Sequence, residues 1–366
     1  MPIVKDGCGV FGILRKRGGP KISNLIALKA IETVRFRGSS LGAGFAYFDK
    51  PDEETPPIRM KVFVDCYETL QIVRSILQSY AKSSRLIIIG EEMPTFERSR
   101  SFRVYEIKIE ASPNRLHSIV NQINSMLLDE GKVRGRVFSY GRYVNVFKGV
   151  GYPIDVAAQY GLNTHRYEAD LWLAHTRQPT NSPGSTPVWS HPFSANEVAV
   201  VHNGDLSSYG SNLQLLRLAG YLSFVGTDSE VIAFMLDYLL RVKGYSVEQA
   251  LLVLQNPYES TISSSSVKDE VKLLMAEARG CQLDGPFTVI AGYCDSKEVY
   301  LTALVDRAKF RPIVFGEDGE AYYVASEECQ IRSISPSATV WTPEPGGLFV
   351  ASLSKGILQD GTSISR

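Results

Sequence analysis

Strand-like runs gather at both ends of this chain, with helical runs between them, and that distribution restricts its possible folds more than any other feature. Cys8–Leu14 and Gly42–Phe48 read as short strands near the start. From Leu171 the runs LWLAHTR and EVAVVHNG follow; the valines and alanines of the second suit a strand buried on both faces. Phe287–Tyr293, Glu298–Leu304, Ile313–Phe315, Ala321–Ala325 and Leu348–Leu353 continue the pattern to the end. Helices are predicted over Ser23–Val34, with Ser23 as N-cap, from near Asp228, over Ser246–Leu254 and over Val267–Ala278. Two packed sheets covered by helices, an α+β architecture, accommodate this order.

One stretch has its own rhythm. The polar, proline-rich PDEETPP at 51–57 marks a boundary. Beyond it the predicted order is strand (Met60–Val64), helix (Glu68–Tyr80), two strands (Leu86–Ile89 and Arg103–Ile109), helix (Pro113–Asp129) and more strand (Val133–Phe147). Leu116, Val120, Ile123 and Leu127 share one face of the second helix. The order βαββαβ is that of a ferredoxin-like module, so residues 58–150 are expected to form an inserted α/β lobe.

Bulk properties exclude several classes. With 366 residues, 44% hydrophobic and 21% charged, the chain can build a sizeable core without disulfides or a structural metal. Its formal net charge is zero, so no global field draws it to nucleic acid or an anionic membrane. No apolar run approaches the roughly 18 residues that span a bilayer, and MPIVKDGCGVFG lacks the apolar core of a secretory signal. The five cysteines are scattered and form no CxxC pair, against a disulfide framework or zinc site. A cytoplasmic location is expected.

Taken singly, the chemically interesting residues have ordinary explanations. Cys8 beside Gly9 suits a small core position, Arg177 an ion pair, Asn203-Gly204 a hairpin turn, and Asp228 a helix start. Together they form an ordered set: Cys8-Gly9-Val10-Phe11-Gly12, Ala174-His175-Thr176-Arg177, His202-Asn203-Gly204-Asp205 and Gly226-Thr227-Asp228-Ser229-Glu230. This set resembles the glutaminase domain of class II amidotransferases. The likeness continues through Leu283-Asp284-Gly285-Pro286-Phe287, through Arg307 with Arg311-Pro312, and through Ala325-Ser326-Glu327. It covers about 1–50 and 165–350 and leaves the inserted lobe aside. It implies the αββα sandwich of an N-terminal-nucleophile hydrolase over residues 8–366.

The resemblance also implies roles. Cys8 would attack the side-chain amide of glutamine, and its own α-amine would act as base. An α-amine titrates at about 7.7–8.0, which suits proton transfer near neutral pH. An amide nitrogen cannot do this, so removal of residues 1–7 as a propeptide is expected. Asn203 and Gly204 would form the oxyanion hole. Arg177 would grip the α-carboxylate with its planar fork, and Asp228 would pair with the α-ammonium. His202, in the same motif, is expected beside the substrate in a supporting role. A metal site from His175, His191 and His202 lacks an acidic or cysteine ligand at recognised spacing and is not expected. Cys66, Cys281, Cys294 and Cys329 read as packed thiols, and Gln178–Trp189 as a loop closing over substrate.

Cys8–Leu14, Arg35-Phe36-Arg37-Gly38-Ser39 and Leu41-Gly42-Ala43-Gly44-Phe45 look most like the free-standing amidotransferase subunits of split glutamate synthases. The resemblance implies no cofactor on this chain, with FMN and an iron–sulfur cluster on a partner flavoprotein that receives the ammonia. Two other readings stay open: an N-terminal-nucleophile amidase for another amide, and a non-catalytic regulatory subunit.

Overall fold

The computed structural model describes residues 7–51, 55–93, 101–179, 186–263 and 267–362. Two antiparallel sheets dominate. The seven-stranded sheet runs, edge to edge, Val144–Gly149, Ala43–Phe48, Leu171–Thr176, Gly9–Arg15, Ala321–Ala325, Val314–Glu317 and Thr339–Trp341. The six-stranded sheet runs Phe193–Ala195, Val198–Gly204, Phe287–Cys294, Val299–Val305, Leu348–Ser352 and Gly356–Asp360.

Side-chain alternation along Gly9–Arg15 explains how the layers stack. Val10 and Leu14 point into the core between the sheets, where they join Val200, Ile290, Leu301 and Val350 of the opposite sheet. Phe11 and Ile13 point the other way, into a second core with Ala27 and Ile31 of the helix Asn24–Thr33 and Ile331 of Glu328–Ile334. Gly12 faces inward with no side chain. A Cβ there would come within 2.7 Å of Leu301 Cδ1, so glycine permits the close approach of the two sheets. On the far side of the six-stranded sheet lie the helices Asp228–Asp237 and Val247–Leu254, the first buried along nearly its whole length.

The region after Pro57 forms a separate four-stranded antiparallel sheet in the order Ile87–Glu92, Arg103–Glu110, Ile58–Val64, Gly135–Gly141. Helices Tyr67–Lys82 and Pro113–Met126 pack onto it around Met60, Leu70, Val73, Leu116 and Ile123. The expected end of this lobe at residue 150 needs correction. Its sheet closes at Gly141, and Val144–Gly149 pairs with Ala43–Phe48 as an edge of the seven-stranded sheet. An apolar alternation marks a strand but does not say which sheet edge it joins. Among the described residues four short α-helices were not expected from the sequence: Pro153–Gln159, Tyr209–Leu218, Glu259–Ile262 and Glu328–Ile334. Among the described residues, no helix is long and apolar enough to cross a membrane.

Candidate functional site

Strand register assembles the site. Gly9 pairs with Thr176, so Cys8 and Arg177 emerge side by side at the same end of the seven-stranded sheet. On its other flank Phe11 pairs with Ala325, which brings Ser326 to Val10. Ser326 Oγ accepts the Val10 N–H at 2.7 Å, and the Ser326 N–H donates to Val10 O at 3.0 Å. Glu327 Oε1 lies 2.6 Å from Arg37 Nη1, and Arg37 Nε donates to Cys8 O at 3.3 Å. The Ala-Ser-Glu element thus pins the approach to Cys8 from one side.

The opposite sheet closes the site. Asn203 and Gly204 are the last residues of the strand Val198–Gly204, paired with Thr288 and Phe287, and do not form the hairpin turn that their sequence alone suggests. Gly204 has φ +131°, and a Cβ there would meet Pro286 O at 2.0 Å. Only glycine fits. Asn203 Oδ1 accepts the Cys8 N–H at 3.2 Å. Its Nδ2 is buried and has no hydrogen-bond partner among the described residues.

Cys8 itself is buried. The Gln178 N–H donates to Sγ at 3.3 Å, and Sγ lies 3.7 Å from Gln178 O. Burial pushes the thiol pKa up. The Gln178 N–H and the nearby Arg177, Arg37 and Arg311 pull it down but do not overcome burial. The thiol is therefore protonated near neutral pH and needs a base to become a nucleophile.

A cavity of about 270 Å³ opens from the sulfur. Its walls include Cys8, Arg177, Trp189, Gly204 and Asp228. Arg177 brings positive charge, and Asp228 negative charge from the first turn of Asp228–Asp237. Burial pushes the Asp228 carboxyl up, but His202 and the N–H groups of Leu206 and Ser229 outweigh it and hold the pKa at about 2. The cavity thus has a nucleophile and opposite charges on its walls, and the residue bonded to that nucleophile's nitrogen keeps an orphaned amide donor. Such a site can bind a small zwitterion and present a side-chain carbonyl to the thiol.

His202 is 2% exposed. Its Nδ1 lies 3.0 Å from Ser229 Oγ and 3.6 Å from Asp228 Oδ1, so its polar contacts run to the Asp228 corner of the cavity. His191 Nε2 reaches the same Ser229 Oγ at 2.7 Å, and His175 Nε2 reaches His202 O at 3.1 Å. The rings of His175 and His191 stack with centroids 4.1 Å apart. Among the described residues no group of three or more His, Cys, Asp or Glu is placed to hold a metal ion.

The structure brings Cys8, Arg177, Asn203, Gly204, His202 and Asp228 to one place. It adds residues whose roles the sequence did not disclose: Arg37 and Ser326, which anchor the nucleophile strand, Ser229, which gathers two histidines, and Gln178. The Gln178 contact is made by the main chain, so residue type carries no signal for it. Of the expected loop Gln178–Trp189, residues 180–185 lie outside the described residues; Pro187–Trp189 form a 3-10 turn, and Trp189 Nε1 donates to Val225 O at 3.0 Å. Of the cysteines read as packed thiols, Cys281 and Cys294 are buried, whereas Cys66 is half-buried and Cys329 exposed. Cys66 is the N-cap of one helix and Cys329 lies in the first turn of another.

No protein-family model matches the chain. An uncharacterized protein of Archaeoglobus fulgidus is 30% identical over 357 residues, covering 93% of this chain and 91% of that one. A candidate glutamine amidotransferase of Methanothermobacter thermautotrophicus is 24% identical over 349 residues, covering 94% of this chain and 99% of that one. Among solved structures, glutamine phosphoribosylpyrophosphate amidotransferase from B. subtilis, complexed with ADP and GMP, aligns with a TM-score of 0.50 at 16% identity. That alignment covers 97% of this chain and 49% of the other, so the present chain spans about half the length of that enzyme.

Proposed function

We propose that this chain is a class II glutamine amidotransferase, a glutaminase that releases ammonia from glutamine through a thioester on Cys8; its likeness to amidotransferases in sequence and fold supports the reading. The observation that carries this reading is the placement of Asn203. Its Oδ1 holds the nitrogen of Cys8, which lines a cavity with Gly204, Arg177 and Asp228, while its Nδ2 is buried without a partner among the described residues.

In this reading Arg177 takes the glutamine α-carboxylate and Asp228 the α-ammonium. The sulfur of Cys8 attacks the side-chain carbonyl carbon, and the developing oxyanion receives Asn203 Nδ2 and the Gly204 N–H. The thiol proton passes to the Cys8 α-amine and from there to the departing nitrogen, which leaves as ammonia. Water, deprotonated by the same amine, then cleaves the thioester to give glutamate and restore the thiol. The α-amine is available once residues 1–7 are removed, and we read those residues as a propeptide.

The finer assignments belong to the same proposal. The sheet after Pro57 is read as an inserted ferredoxin-like lobe. The ammonia acceptor is read as a glutamate synthase-type flavoprotein subunit that carries FMN and an iron–sulfur cluster. Support for that partner is the wording of Cys8–Leu14 and of Arg35–Phe45, together with the long separation of Cys8 from Arg177.

Cys8→Ala tests the core of the proposal. Purified wild type should release ammonia from glutamine, with an intact mass corresponding to a chain that starts CGVFG, and Cys8→Ala should release none. Full activity with residues 1–7 still attached would remove the α-amine from the mechanism. Activity surviving in Cys8→Ala would remove the thioester. Adding the partner flavoprotein should couple glutamine use to glutamate formation from 2-oxoglutarate.

A further inference from the structure

Between Gly135 and Gly149 the chain makes two consecutive strands, joined by Arg142-Tyr143, that lie in different sheets. Gly135–Gly141 completes the four-stranded sheet against Ile58–Val64, and Val144–Gly149 edges the seven-stranded sheet against Ala43–Phe48. Each strand sends one long basic side chain inward. Arg136 and Lys148 are both buried, and neither is part of the cavity wall beside Cys8.

Each of these side chains holds a segment that does form the wall. Arg136 pairs with Glu230, the two side chains being 4% and 1% exposed. Glu230 lies two residues beyond Asp228 on the same helix. Its Oε2 also accepts the Ser223 hydroxyl and the Val225 N–H, which fixes the segment leading to Gly226 and Thr227. Lys148 Nζ donates to Val188 O at 3.3 Å and Ser190 O at 2.9 Å, on either side of Trp189, and sits 4.3 Å over the Phe193 ring. The two segments are tied to each other by the bond from Trp189 Nε1 to Val225 O at 3.0 Å.

We infer that Arg136 and Lys148 are positioning residues for amino-acid recognition, and that through them the two-strand segment 135–149 couples the four-stranded sheet to both walls of the glutamine pocket. This rests on the glutaminase reading above. A buried ion pair is an expensive way to hold a fold together, because an apolar pair of similar volume often does as well. Here the pair runs from the four-stranded sheet to the helix that presents Asp228. Movement of the four-stranded sheet relative to the sandwich would therefore reach the α-ammonium side of the pocket through Arg136, and the Trp189 side through the strand that carries Lys148.

The test uses the full chain with Arg136→Met, Arg136→Met/Glu230→Gln and Lys148→Met. Michaelis kinetics with glutamine are measured beside the rates at which Cys8 is labelled by a glutamine-like diazoketone and by iodoacetamide, which has no amino-acid handle. Each variant should raise KM roughly tenfold, the loss that about 1.4 kcal/mol of binding represents, with kcat near wild type. Diazoketone labelling should slow by a similar factor while iodoacetamide labelling is unchanged, and Arg136→Lys should recover part of the loss. Should Arg136→Met fail to fold, the paired variant leaves neither member of the pair as an unpartnered charge, and Lys148→Met gives an independent reading. Variants that melt earlier but keep the wild-type KM and labelling ratio overturn the inference, as do variants in which both labelling rates fall in step. A wild type that neither hydrolyses glutamine nor favours the diazoketone would instead bring down the glutaminase reading itself.

Discussion

Cys8 and Asn203 are 195 positions apart in the chain, yet the Cys8 N–H donates to Asn203 Oδ1 at 3.2 Å. One amide side chain is thereby divided between two tasks. Its oxygen fixes the nitrogen of the nucleophile, and its Nδ2 stays buried and unpartnered among the described residues. A buried donor without an acceptor costs roughly 1–3 kcal/mol, which an oxyanion formed beside Cys8 would offset during the reaction.

Asn203→Ala removes that donor together with the acceptor for Cys8 N. The expected outcome is a fall in kcat of roughly 10²–10³, as for the loss of one oxyanion donor, with a small change in KM because the oxyanion exists only along the reaction path. Steady-state kinetics on glutamine decide this. A variant that keeps kcat and loses KM would place Asn203 in substrate binding.

Arg177→Lys and Asp228→Asn should behave the opposite way. Each weakens a charged contact made in both ground and transition states, so KM should rise roughly ten- to a hundredfold, the equivalent of about 1.5–3 kcal/mol for a charged hydrogen bond, with kcat less affected. Asp228 is held at about 2 by His202 and the Leu206 and Ser229 N–H groups, which outweigh burial. It stays ionised throughout the neutral range, so the KM penalty of Asp228→Asn should be the same at pH 6 and pH 8. A penalty that vanishes at the lower pH would show that the carboxylate is not the charge that matters.

The buried histidines set an acid limit to stability. Burial pulls His175 down to about 3 and His191 well below its usual range. In the unfolded chain both titrate near 6.5. As the pH drops below about 6.5, the unfolded state takes up protons that the native state refuses. Stability is therefore full above that pH and is lost as the pH falls towards the folded values, with a slope of about 1.4 kcal/mol per pH unit for each histidine. Melting temperatures measured from pH 7.5 to 4.5 should decline in wild type and decline less in His175→Gln, which keeps a donor for His202 O. Equal slopes in the two proteins would show that His175 is not the group responsible.

By itself the sequence determined the local periods and the order of the chemical motifs. Apolar runs marked the strand at Cys8–Leu14 and the strand in EVAVVHNG, buried on both faces. Ser23 marked a helix start, and its Oγ accepts the Leu25 N–H. Such features are legible because strand and helix periods are properties of neighbouring residues. Short or mostly exposed helices were not. Pro153–Gln159 is too brief to show a period, and Tyr209–Leu218 buries only Asn212 and Leu216. Tertiary structure alone decided that Val144–Gly149 leaves the sheet of its predecessor, that the Gln178 main chain meets the thiol, that Asn203 splits its two polar atoms, and that Arg136 reaches Glu230. The physical reason is common to all four. Each depends on strand register and layer packing between segments far apart in the chain, and a run of residue types specifies which groups can pair without specifying which ones meet.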